Sequence, residues 1–134
     1  TDTNKWSAVS STTFTIGNDP YTNGTGSPYI AYCFRSTSGY SKIGTYTVSS
    51  ASDRVITGLG FSPSWVMVKR TDSTGSWVIT DTSRLLTKEI YADLTNQENT
   101  DSNGVQSFDA DGFTVGTGSW LGASSGTYLY MAFK

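Results

Sequence analysis

Acid–base or nucleophilic chemistry in this sequence would have to come from carboxylates. The 134 residues contain no histidine and a single cysteine, Cys33. Ser-His-Asp and Cys-His arrangements are excluded, and so is proton transfer by imidazole near neutral pH. A zinc or other transition-metal site made of carboxylates alone would suit those ions poorly. Two carboxylates suffice for glycoside hydrolysis, and the candidate acids are Asp53, Asp72, Asp81, Glu89, Asp93, Asp109 and Asp111. Most sit at turn positions, where an Asp side chain bonds to nearby backbone amides. Asp109 and Asp111 come nearest to a calcium loop, since hard cations take oxygen ligands. Their spacing falls short of a full DxDxDG loop, and a hairpin turn explains it better. The glycine pairs Gly24/Gly26, Gly58/Gly60 and Gly116/Gly118 lie between strands and open no helix, so they form no phosphate cradle. The sequence therefore reads as a non-enzyme with no cofactor.

Aromatic rings in polar loops offer a different chemistry. Trp6, Tyr21, Tyr40 and Trp120 fall outside the strongest strand signals, among Ser, Thr, Gly and Asn. A flat ring flanked by short polar donors suits a sugar, whose CH face stacks on the ring while its hydroxyls find hydrogen bonds. These four are the candidate glycan contacts; a ring that closes the end of a sandwich is the structural alternative.

The elements that must position them are strands. About three in ten residues are Ser or Thr, aromatics are plentiful and charges sparse, a composition of β-proteins and not of disorder. Alternation and β-branched or aromatic enrichment predict strands at 12–17, 29–35, 42–48, 54–59, 65–70, 77–81, 105–109, 113–116 and 128–134. Turn residues at 72–75 and 111–112 predict two hairpins, 65–70 onto 77–80 and 105–109 onto 113–116. Residues 82–99 read either as weakly helical or as an irregular loop with a short strand at 89–92. About nine short strands with little or no helix predict an all-β, antiparallel β-sandwich or closed barrel. A net charge of −2 gives no footprint for nucleic acid. No apolar run approaches the ~20 residues of a helical membrane span.

One stretch is written twice. Residues 14–34 read FTIGNDPYTNGTGSPYIAYCF and residues 113–133 read FTVGTGSWLGASSGTYLYMAF, an ungapped match at a constant offset of 99. Tyr21 and Trp120 occupy the same place in the two copies. Repetition at a fixed period marks an array of similar units, and a period near 100 makes the unit a small domain. The expected organisation is one complete unit at 35–134, preceded by the closing strands of another at 1–34, so that Thr1 is not a natural beginning. In the repeated strand, Ile30, Tyr32 and Phe34, with Leu129, Met131 and Phe133, are expected to face the core. The opposite face, with Tyr29, Tyr128 and Tyr130, is either interior or a subunit contact. Cys33 is expected to be a small buried hydrophobe.

The segments GSPYIAYCFRSTSGYSKIGTYT, GFSPSWVMVKRTDSTGSWVITD and GTYLYMAFK resemble a domain of bacteriophage tail-fibre and other virion structural proteins, in which units of about 100 residues run in tandem. The resemblance spans 14–134. It departs from the family pattern at Val48-Ser49-Ser50, where Gly-Asn-Gly is usual, and across 84–99. It implies a concanavalin-like or jelly-roll sandwich, a place on the virion, and partners that are other copies or repeats of the same protein, a homo-trimer above all. It also implies a surface that meets the host; a host-surface glycan is the candidate ligand that the loop aromatics add. It brings no catalytic residues. A stand-alone carbohydrate-binding module and a capsid-decoration subunit are the alternative functions.

Overall fold

The computed structural model describes residues 5–50, 52–118, 120–122 and 125–134. The chain divides into two compact units, Thr1–Cys33 and Phe34–Lys134.

In the first unit, β1 (Trp6–Val9) and β2 (Phe14–Ile16) form an antiparallel hairpin with a bulge between Trp6 and Ala8. The one-turn helix α1 (Pro20–Asn23) follows, with Asp19 as its cap. The Asp19 carboxylate accepts from the Tyr21 amide, and Pro20 occupies the first turn, where its missing N–H costs nothing. The Tyr29 hydroxyl then fastens the following chain to this turn, accepting from Gly24 N and donating to Pro20 O, both at 2.9 Å.

The second unit is an all-β, sandwich-like pair of antiparallel sheets. One sheet has three strands, in the order β4 (Arg54–Thr57), β10 (Gly112–Val115), β9 (Val105–Asp109). The other has six, in the order β3 (Ser41–Val48), β11 (Gly126–Phe133), β5 (Trp65–Arg70), β6 (Trp77–Asp81), β7 (Lys88–Tyr91), β8 (Asn99–Thr100). Alternation puts Tyr46, Val48, Val66, Val68, Val78, Tyr128, Tyr130 and Ala132 on the inner face of the six-stranded sheet. Ile56, Val105, Phe113 and Val115 meet them from the three-stranded sheet, with Leu59, Phe61 and Leu121 closing the cluster. Aromatic contacts cross the middle. Tyr46 stacks on Tyr128 at 5.0 Å, and Phe113 meets Tyr130 edge-on at 5.4 Å. The Tyr46 hydroxyl donates to Leu121 O at 2.7 Å, so even the polar tip of that ring is satisfied inside.

Three sequence expectations are corrected. Residues 29–35 form no strand and are exposed along their whole length. A strand exists through its ladder, and the first unit holds no counterpart of β3 or β5 among its described residues. Cys33 is accordingly exposed and not a buried hydrophobe. In β11 the core face is Tyr128, Tyr130 and Ala132, whereas Leu129, Met131 and Phe133 lie half-buried on the outer face. Both faces of that strand are apolar, so alternation alone could not orient it. Tyr128 and Tyr130 are therefore interior, out of reach of another subunit. The segment 82–99 resolves into an irregular loop plus β7 and β8, pinned by Arg84 between Asp81 and Glu98 and by Lys88 to Glu98. The strand β1 and the helix α1 had no clear sequence signal.

Gly44 shows how tightly the core is fitted. It lies opposite Tyr130 in the β3–β11 ladder, and a β-carbon there would meet the Tyr130 ring at 2.6–2.9 Å. On an open strand Gly→Ala would stabilise by about 0.5–1 kcal/mol. Here overpacking wins, and Gly44→Ala should destabilise the second unit by about 1–3 kcal/mol in a urea titration. A neutral or stabilising result would show that Tyr130 does not occupy that space.

Candidate functional site

The loop aromatics do not form one site. Trp120 and Tyr40 belong to the second unit, at opposite ends of β5. Trp120 is 38% exposed and lies against the β5–β6 turn. A β-carbon on Gly75 would sit 3.5 Å from the Trp120 ring and 3.4 Å from Arg70 Cβ, ordinary contact distances, so the ring lies close over the turn. At the start of the same turn, Arg70 Nε donates to Asp72 at 2.8 Å, which lowers the Asp72 pKa and raises that of Arg70. The Arg70 guanidinium also stands 5.9 Å from the centre of the Tyr128 ring. The Thr71 hydroxyl is held by Thr127 O at 3.0 Å. An open ring, a fixed guanidinium–carboxylate pair and short hydroxyl side chains thus share one end of the sandwich. This set can stack on an apolar face and exchange hydrogen bonds around it.

At the other end of β5, Phe133 is ringed by edge contacts from Phe34 (6.1 Å), Tyr40 (6.2 Å) and Trp65 (5.5 Å). Tyr40 is exposed, but its backbone carbonyl also accepts from Lys134 N. It therefore fastens the backbone that follows β11 as well as offering a ring. Trp6 and Tyr21 belong to the first unit, where Trp6 is in β1 and not in a loop as expected. Trp6 packs on Phe14 at 5.4 Å, and both Trp6 and Tyr21 line an apolar groove of about 640 Å³ with Tyr29 and Cys33.

The carboxylates are engaged in structure. Asp111 accepts from the amides of Gly58 and Gly60 at 3.0 and 2.6 Å, which lowers its pKa. Those glycines have φ of 84° and 77°, a backbone region where other residues are strained. Asp109 accepts instead from the Ser107 and Thr114 hydroxyls. The two aspartates of the calcium expectation thus serve different partners. Among the described residues no group of three or more acidic, His or Cys side chains could hold a metal ion.

Glu89 is the acid whose environment is unusual, and its sequence neighbours give no hint of it. It is fully buried on the inner side of β7, with Tyr91 Oη 3.3 Å from one carboxylate oxygen. The Tyr91 hydroxyl in turn accepts from Asn99. Burial, with Asp101 adding like charge, pushes the Glu89 pKa up to about 7.

All of residues 1–134 match the family described as Domain of unknown function (DUF7483). The chain belongs to that family. No curated protein and no solved structure matches it.

Within this DUF7483 chain, Glu89 makes the second unit pH-sensitive. Its folded pKa stands above its unfolded value, so its contribution to stability is complete below about pH 4.5 and is lost as pH rises through about 7. Glu89→Gln should remove that trend, and above pH 7 should raise stability by up to about 2–3 kcal/mol. Urea midpoints at pH 4.5 and 8 for both proteins test this. A wild-type midpoint that rises over that interval by the Glu89 contribution would contradict it.

Proposed function

We propose that the chain is a structural and adhesive module of a bacteriophage fibre or other virion appendage. In this reading the sandwich is of concanavalin-like, jelly-roll type, copies associate side by side, and loops at one end meet the host surface. The observation that carries it is the outer face of the six-stranded sheet. The ladder registers place Ile43, Met131, Met67, Ile79 and Ile90 in one row across five strands. All five lie on the face opposite the core cluster, and none is part of that cluster. A continuous apolar row on a face not needed for the fold supports self-association. The resemblance to tandem fibre units supplies the setting, and a trimer is the state it favours.

Light scattering or sedimentation at tens of micromolar tests the self-association. The wild-type chain should run as a homo-oligomer. Met67→Glu, in the middle of the row, should give monomers with an unchanged circular dichroism spectrum. A wild-type chain that stays monomeric would remove the support.

A second reading, a carbohydrate-binding module, draws on the Trp120 end. The half-open ring, at the same end of the sandwich as Arg70, Asp72 and hydroxyl side chains, supports a glycan contact in which one sugar face stacks on the indole. On a glycan array, any bound glycan should lose at least about tenfold affinity with Trp120→Ala. Binding unchanged by that substitution, or no binding to any surface glycan, would retire this reading.

A further inference from the structure

The two units share more than a sequence motif. At the offset of 99, β1–β2 and β9–β10 have the same register: Trp6↔Ile16 with Val105↔Val115, Ala8↔Thr15 with Ser107↔Thr114, Val9↔Phe14 with Phe108↔Phe113. The bulge falls at the same place in both. The bond Gly17 N→Lys5 O has its counterpart in Gly116 N→Gly104 O. The helical turn is repeated too. Thr22 N and Asn23 N donate to Asp19 O, as Leu121 N and Gly122 N donate to Gly118 O.

The environments differ. Trp6, Phe14 and Tyr29, lining the groove, are 53%, 39% and 47% exposed, while their counterparts Val105, Phe113 and Tyr128 are 3%, 0% and 0% exposed. Ile16, Ala31 and Cys33 also line the groove, and their counterparts Val115, Tyr130 and Ala132 are all in the core cluster. The groove is therefore lined by counterparts of residues that, in the second unit, face a closed core from both sheets. In that unit the rest of the core is supplied by β3 to β6 of the two sheets, above all by Tyr46, Ile56, Val66, Val68 and Val78. Side-chain volumes compensate as they do in an independent core. Ala31 replaces the large Tyr130, Trp6 replaces the small Val105, and Trp6 packs on Phe14 where Tyr130 packs on Phe113.

We infer that residues 6–33 are the closing part of a second sandwich, and that their groove is covered by opening strands equivalent to residues 35–99, carried on the same polypeptide ahead of residue 1. Two observations choose this occupant over a second copy of the chain. In the second unit only 101–104 separate β8 from β9, so covering and closing strands are neighbours in sequence. And the covering strands of another copy are already filled by their own β11, paired along its whole length with β3 and over six residues with β5. The inference holds whatever the module is attached to, and the oligomer test above can fail without touching it.

Cys33, the sole cysteine, reports the result. In the chain as it stands its thiol should react with a soluble disulfide reagent at close to the rate of an unstructured peptide, independent of protein concentration. Fusing a second copy of residues 35–99 directly before Thr1 should slow that reaction at least 100-fold, because the counterpart Ala132 is fully buried. A second fusion carrying Trp6→Val and Ala31→Tyr gives the groove the side chains that this segment covers in its own unit, and controls for misfit. Protection in either fusion supports the inference. Cys33 equally open in both overturns it, as does protection in the unfused chain that grows with concentration, which would make a second copy the occupant.

Discussion

A central strand is stable only between neighbours, and β11 is the strand on which this fold closes. It bonds to β3 along its full length and to β5 over six residues, and it turns Tyr128, Tyr130 and Ala132 into the core. The Tyr46–Tyr128 stack, the Phe113–Tyr130 contact and the absence of a side chain at Gly44 all depend on that placement. The same sequence pattern at 29–34, with no strands paired to it, forms no strand and stays exposed. Equal local propensity gives unequal structure because ladder bonds and burial, not propensity, hold a strand in place.

That contrast marks how far the sequence could be read. The two hairpins were legible because turn residues and alternation are local signals, and both form where the spacing put them. The repeat was legible because Phe-Thr-apolar-Gly and the closing Tyr and Phe positions recur without a gap. The orientation of β11 was not, since a strand apolar on both faces carries no inside-outside code. Nor was the fate of 29–35, which depends on strands far away in sequence or on another part of the polypeptide. The Trp120 end was half legible. The ring stood out in its polar loop, but its partners Arg70, Asp72 and Gly75 lie some fifty residues away. Glu89 was visible only as one acid among many, because its burial comes from the β7 register and its like-charged neighbour, Asp101, comes from across a loop.

The polar chemistry of the second unit serves the backbone. Asp111 holds the loop at Gly58 and Gly60, Asp109 gathers two hydroxyls within its hairpin, and the Asp81–Arg84–Glu98–Lys88 chain pins a long loop that has little core of its own. Glu89 stands apart as a buried acid that is half-protonated near neutrality. The apolar chemistry, by contrast, exceeds what one core needs. It spills onto an outer sheet face in the second unit and into an open groove in the first. Surplus apolar surface in two places is the common ground of the association and array readings.

Amide hydrogen exchange on the unfused chain reads the dependence of this strand on its neighbours most directly. The account expects the amides of 129–132 to exchange only through global unfolding, and those of 30–33 to exchange at close to unstructured rates. Comparable protection of both stretches in the isolated chain would contradict it, because residues 29–34 would then be held without the flanking strands on which β11 depends.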